Sequence, residues 1–161
     1  MVRAVASGYR DKRNPTATMT DTDDPAEFAP ENAAEFTALE TSWANGKLRR
    51  HAERLLTFVE RNRGDILRLA GDACDGEALL STTKRLIVQA GSVHPPSEMR
   101  DQAREIQDEI WICGERGEYD RRNIAHEWTS RHAANWRRWR LKEYLFVADR
   151  CAEDIVARLV T

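Results

Sequence analysis

The stretch that decides the fold is residues 126–150, HEWTSRHAANWRRWRLKEYLFVADR. It holds three of the five tryptophans of the chain, two of its four histidines and six of its twenty-five lysine and arginine residues. Placed on a helix at 100° per residue, its apolar side chains fall into two sets. Ile124, Trp128, Trp139 and Phe146 share one broad face, whereas Leu141, Leu145 and Ala148 share a nearly opposite one. The pattern predicts a long last helix, from Asp120 to about Val160, that buries different faces along its length.

Two arrangements satisfy this pattern. The helix kinks near Arg140, so that each half buries its own face, or it is straight and covered on both sides by other helices or by a second subunit. A straight helix of ~40 residues spans ~60 Å, which is longer than a small domain is wide. Such a helix projects and favours dimerisation, so the sequence predicts a homodimer.

The rest of the chain alternates helical patterns with glycine and proline breaks. The predicted breaks between helices are Asn45-Gly46, Gly64, Gly71, Gly91 to Pro96, and Gly114 to Gly117. Ser97 is the predicted N-cap of a helix whose apolar stripe runs along Met99, Ala103, Ile106, Ile110 and Cys113. No window alternates with a period of two. We therefore expect an all-α fold, a four- to five-helix bundle, with residues 1–26 as a disordered tail and 27–161 as one helical domain.

Composition limits the class of protein. The chain has 161 residues and a formal net charge of −2, and it has no apolar run long enough to span a membrane and no secretory leader pattern. It is expected to be cytoplasmic, without a membrane partner. Its three cysteines are Cys74, Cys113 and Cys151, whose wide spacing is typical of small buried side chains rather than of disulfides or a zinc site. No metal and no cofactor are expected.

The charges are unevenly distributed. Residues 14–46 contain no lysine or arginine but seven carboxylates, all between Asp21 and Glu40, whereas residues 121–150 contain eight basic and three acidic side chains. One hypothesis is that the acidic segment 21–40, with Phe28 and Phe36, docks on the basic last helix of the same chain or of a partner subunit.

The candidate binding residues lie in the first half of the last helix. His132 and Asn135 fall on the aromatic face, either as hydrogen-bonded core groups or as the lining of a ligand pocket. Arg131, Arg137 and Arg138 are assigned to the opposite, solvated surface. Phosphate contacts from these arginines make nucleic acid an alternative partner, but tryptophans that pack the core cannot also stack bases. The binding set is Trp128, Arg131, His132, Asn135, Trp136, Arg137, Arg138 and Trp139.

A catalytic alternative rests on Arg121, Arg122 and His126. Arg121 and His126 are separated by four residues, which resembles the Arg-x4-His signature of the HEPN family, helical domains that often dimerise and cleave RNA without a metal. The resemblance implies proton transfer by His126 and charge stabilisation by arginine. It covers six residues and departs from the family pattern, because the asparagine follows Arg122 rather than Arg121.

The sequence favours a non-catalytic interaction module that uses the Arg/Trp-rich part of the last helix for a protein partner, self-association or an anionic ligand. The alternatives are a metal-independent RNase using Arg121, Arg122 and His126, and a small-ligand pocket around His132 and Asn135.

Overall fold

The computed structural model describes residues 24–72 and 75–161. Within these ranges the fold is all-α, as expected, and contains no strand. A short 3₁₀ turn, Pro25–Phe28, precedes seven α-helices. These are α1 (Ala33–Ala44), α2 (Arg49–Arg61), α3 (Arg63–Ala70), α4 (Gly76–Ala90), α5 (Pro95–Glu115), α6 (Arg121–Arg150) and α7 (Ala152–Val160). The predicted tail lies outside the described residues as far as position 23, whereas its last residues form the 3₁₀ turn.

The described residues divide into two compact units, a finer division than the single domain 27–161. One unit comprises residues 24–72, 75–93 and 141–161, and the other, residues 94–140, comprises α5 and the first two thirds of α6. Helix α6 therefore contributes to both units, and the division falls between Arg140 and Leu141.

The first unit encloses the main hydrophobic core. Its fully buried side chains come from α2, α3, α4, the last part of α6 and α7, and include Leu55, Ile66, Leu79, Tyr144 and Ile155. Short-range signals set the helix ends here. Asp75 caps α4 by accepting a hydrogen bond from the Ala78 amide at 2.7 Å, and Gly91 ends the helix in the left-handed conformation at φ 76°.

The helix beginning near residue 95 starts earlier than predicted. His94, rather than Ser97, is the N-cap of α5: its Nδ1 accepts the Ser97 amide at 3.2 Å. Pro95 and Pro96 then occupy the first turn, where the missing amide protons cost nothing because those positions have no intrahelical partner.

The last helix ends earlier than predicted. α6 comprises residues Arg121 to Arg150. Cys151 then separates it from α7, so that the predicted helix to Val160 is two helices. The predicted exchange of buried faces is correct in part. Ile124 and Trp128 are buried in one unit, and Leu141, Leu145 and Ala148 in the other. Trp139 is only half-buried, and the fully buried Tyr144 and Val147 make the second buried face wider than predicted. Among the described helices, none combines the length and the apolarity that a membrane crossing requires.

Candidate interaction surface

The unit formed by residues 94–140 is a pair of antiparallel helices. Residues 116–120 connect α5 to α6, and the Asp120 carboxylate caps α6 by accepting the Asn123 amide at 3.2 Å. At the other end of the pair, Arg140 Nη2 lies 2.9 Å from Asp101 Oδ2. Since a short connection joins one end and an ion pair the other, the two helices must lie side by side in opposite directions. We call this pair the hairpin.

The three tryptophans of α6 differ in burial. Trp128 is buried, whereas Trp136 and Trp139 are only half-buried. The Arg140 guanidinium lies over the Trp136 ring, 4.5 Å from its centroid, and this arginine is also paired with Asp101. The predicted covered aromatic face is therefore correct for Trp128 and only partly correct for the other two.

His132 and Asn135 are both exposed, which corrects the expectation that they lie in the core. The centroid of the His132 ring lies 6.1 Å from that of the Trp128 ring, and His132 is on the solvent-exposed side of this contact. Neither residue is among the side chains that line the cavity of the first unit. Beyond Trp128 the next buried position of α6 is Ala133, on another side of the helix, and this shift leaves His132 and Asn135 uncovered.

The arginines share a side of α6 with aromatic residues, contrary to the prediction that they lie opposite them. Arg131 and Arg138 are exposed. Together with Asn135 they have i, i+4, i+7 spacing, and Trp128, three residues before Arg131, lies on the same face of the helix. Arg137, the third predicted surface arginine, is half-buried. A separate exposed group in the first two turns of α6 consists of Arg121, Arg122 and His126.

Large apolar side chains on the hairpin are exposed, a feature that the sequence did not predict. Met99, Trp111 and Tyr119 are 74, 69 and 79 % exposed. Met99 and the exposed Ala103 belong to the stripe on α5 that was predicted to be buried, and of that stripe only Cys113 is buried. The prediction holds only towards the end of α5: Ile106 and Ile110 are half-buried and Cys113 is buried, whereas near the start of the helix the buried residues are Ser97 and Glu98, which lie off the stripe.

The two helices of the hairpin carry opposite charge. α5 has six acidic side chains and two arginines, whereas residues 121–140 of α6 have six arginines and one glutamate. The hairpin therefore presents an acidic helix and a basic helix beside its exposed apolar side chains.

The hypothesis that the acidic segment docks on the last helix is confirmed within one chain, for the described residues from Asp24 on. Lys142 Nζ lies 2.9 Å from Glu35 Oε1 and 3.5 Å from Glu31 Oε1, and Arg150 pairs with Glu40. The rings of Phe36 and Phe146 pack edge to face, with centroids 6.4 Å apart. These contacts attach α1 to the part of α6 that belongs to the first unit.

A buried polar group beside this attachment had no signal in the sequence. His51, on α2, is buried, and its Nε2 lies 3.3 Å from Glu143 Oε1. Its ring stacks on the fully buried Tyr144, with centroids 4.7 Å apart. Because Glu143 and Tyr144 directly follow Lys142 on α6, this short segment links α2 as well as α1 to the helix.

The two described cysteines, Cys113 and Cys151, are buried and form no disulfide. Burial raises the pKa of both thiols, and a hydrogen bond from Cys113 Sγ to Glu109, at 3.6 Å, raises that of Cys113 further. Both thiols therefore stay protonated near neutral pH, which fits a packing role. Cys74 lies outside the described residues. In the described part of the chain, no three His, Cys, Asp or Glu side chains are grouped to hold a metal ion.

Comparison with protein-family models, with curated proteins and with solved structures finds no match to this chain.

Proposed function

We propose that this chain is a non-catalytic interaction module that self-associates through the hairpin, with a second copy of the chain as its partner. The observation that carries this proposal is the exposure of Met99, Trp111 and Tyr119 on a unit built from only two helices. A pair of helices covers one face of each helix at most, and apolar side chains on the other faces are covered only when further helices pack on them.

The dimensions of this surface suit a dimer. Met99 and Trp111 lie about 18 Å apart along α5 and about 120° apart around it, so an interface that covers both contacts two sides of the helix. A tryptophan or tyrosine buries about 150–250 Å², and a stable interface buries about 800 Å² on each partner. The exposed aromatic side chains and Met99, with the half-buried Trp136 and Trp139 of the same hairpin, supply the anchors that such an interface needs.

The charges of the hairpin favour a second copy over other partners. In a two-fold dimer, each contact between two different residues occurs twice, once in each direction between the copies. The acidic helix of each hairpin can therefore lie against the basic helix of the other. α5 of one copy then lies against α6 of the other, and two hairpins complete a four-helix bundle. The exposed Arg131 of α6 then faces the carboxylates of α5 in the other copy.

Sedimentation velocity tests this proposal. The unmodified chain is expected to sediment as a dimer, and the double variant Met99→Glu/Trp111→Arg as a monomer, because two charges replace the apolar anchors. The matched control is Val160→Lys on α7, which changes an exposed apolar residue outside the hairpin and is expected to leave the dimer intact. A wild-type chain that is monomeric at every concentration, or a double variant that remains dimeric, contradicts the proposal.

A second candidate function is metal-independent RNA cleavage. Arg122 and His126 are four residues apart on α6, so their side chains project from one face, and both are exposed together with Arg121. An imidazole and a guanidinium at this spacing can share one phosphodiester. His126 would take the 2′-hydroxyl proton, the 2′-oxygen would then bond to phosphorus as the bond to the 5′-oxygen breaks, and the departing 5′-oxygen would take a proton from water. An arginine would stabilise the charge that develops on the phosphate.

The RNase candidate makes a separate prediction. Single-stranded RNA incubated with the chain in EDTA is expected to be cleaved, and His126→Ala is expected to abolish cleavage without changing the circular dichroism spectrum. Arg50→Ala, at an exposed arginine of α2, is the control and should cleave normally. Absence of cleavage by the unmodified chain in EDTA rejects this candidate.

A further inference from the structure

A cavity of about 590 Å³ lies within the first unit, between the 3₁₀ turn, α1, α4 and α6. Its volume falls in the range of about 300–1,000 Å³ that is typical of small-molecule sites. No residue of the hairpin lines it, so a ligand site in this cavity does not rest on the proposed self-association. Five large apolar side chains form its walls: Phe28, Phe36, Leu80, Leu145 and Phe146.

The walls suit an apolar ligand body. Three of the five apolar side chains are phenylalanines, and the Phe146 ring is held between the edge-to-face ring of Phe36 and the Arg150 guanidinium, 5.0 Å from its centroid. Aromatic and aliphatic walls of this kind bury most of the surface of a small ligand, and a few polar groups then orient it.

Four cationic side chains line the same cavity, and three of them have carboxylate partners within the chain. Lys142 is paired with Glu35, Lys84 Nζ lies 3.0 Å from Asp149 Oδ1, and Arg150 is paired with Glu40. The fourth is Arg85, for which no ion pair is formed within residues 24–72 and 75–161. Among the described residues, Arg85 is thus the one cation of the cavity that has no carboxylate in ion-pair contact.

The other carboxylates of the cavity do not neutralise Arg85 by contact. Glu77 precedes it by eight residues on α4, about 12 Å along the helix, which is beyond the range of a direct ion pair. The Asp24 carboxylate caps the 3₁₀ turn by accepting the Ala26 amide at 2.9 Å, and Asp149 is paired with Lys84. The position of Arg85 therefore favours an anionic group on the ligand.

We propose that this cavity binds a small amphipathic carboxylate, with its apolar body among the phenylalanine and leucine side chains and its carboxylate on Arg85. The planar guanidinium can donate two parallel N–H bonds to a carboxylate, a geometry that a lysine ammonium does not offer. Lys84, the preceding residue, also lines the cavity, but its charge is balanced by Asp149.

Calorimetric titration of the full chain tests the site with decanoate and 2-naphthoate, an aliphatic and an aryl carboxylate. At least one is expected to bind, and decylamine is not. Arg85→Gln is expected to weaken binding by about tenfold or more, because a charge-assisted hydrogen bond contributes that much. Arg50→Gln, which removes an exposed arginine of α2 outside the cavity, should leave the affinity unchanged.

A second variant tests the volume of the cavity rather than its charge. Leu80→Trp places a larger side chain at the wall and is expected to abolish binding, while the melting temperature confirms that the chain still folds. If Leu80→Trp does not fold, Arg85→Gln at the exposed rim still decides the question. The proposal is overturned if neither carboxylate binds, if decylamine binds as tightly as the carboxylates, or if Arg85→Gln and the unmodified chain have equal affinity.

Discussion

Replacing Trp128 with alanine is expected to lower the free energy of unfolding of the hairpin by about 3–4 kcal/mol, the usual cost of truncating a buried tryptophan. Trp128 is the largest of the six buried side chains in residues 94–140, the others being Ser97, Glu98, Cys113, Ile124 and Ala133, so its truncation removes the largest buried apolar surface of this unit. Each kcal/mol lowers the melting temperature of a chain of this size by about 2–4 °C. Thermal denaturation should therefore show a fall of about 10 °C, and hydrogen exchange should show that amides of α5 and the start of α6 lose protection first.

The control for this prediction is another tryptophan of the same hairpin. Trp111 is mostly exposed, so Trp111→Ala is expected to change stability by less than about 0.5 kcal/mol when measured in dilute solution, where self-association contributes least. Equal stability of the two variants would show that Trp128 does not hold the hairpin together.

Removing Glu35 is expected to destabilise the first unit by about 2–3 kcal/mol, whereas replacing its partner Lys142 with methionine is expected to cost less than about 1 kcal/mol. The asymmetry follows from burial. Lys142 is only 4 % exposed, so Glu35→Ala leaves a cation in the interior with the more distant Glu31 as its carboxylate partner. Lys142→Met instead removes the buried charge and keeps the apolar part of the side chain, and Glu35 keeps the hydrogen bond that it accepts from the Glu31 amide.

Urea unfolding of the four members of the double-mutant cycle measures this difference. The double variant Glu35→Ala/Lys142→Met should recover most of the stability that Glu35→Ala loses. The exposed pair Arg68–Asp65, 3.4 Å apart, is the reference, and Asp65→Ala should change stability by less than about 0.5 kcal/mol. A larger loss for Lys142→Met than for Glu35→Ala would contradict the argument from burial.

The helices were predictable because the signals for them are local. Apolar repeats and the breaks at Asn45-Gly46, Gly91 and Gly117 identify most segments. The boundaries were less predictable, because they depend on capping contacts: a histidine caps α5, although histidine is not among the residues usually expected there. Cys151, with nothing in the sequence to mark it, separates α6 from α7.

The candidate site was less predictable, because it depends on what covers each face. Periodicity placed Met99 and Ala103 in line with Cys113, but only packing determines that one end of this stripe is open. Periodicity is insufficient for His132 too: it lies on the same helix face as Trp128, but Trp128 is buried and His132 is exposed. His51 meets Glu143 across 92 positions, and no short-range pattern can indicate such a contact.

The division of the chain into its two units has a consequence for the order of events during synthesis. The first unit needs residues on both sides of the hairpin, 24–93 and 141–161, whereas the hairpin needs only 94–140. At ~5–20 residues per second, roughly 3–14 s separate the synthesis of Val93 from that of Thr161. During that interval the core around Leu55 and Leu79 lacks the last part of α6 and all of α7. Both helices of the hairpin, with Trp111 on its surface, have been synthesised before the interval ends. The buried positions of α2 to α4 therefore stay without their partners from the last part of α6 and from α7 for longer than either helix of the hairpin stays without the other.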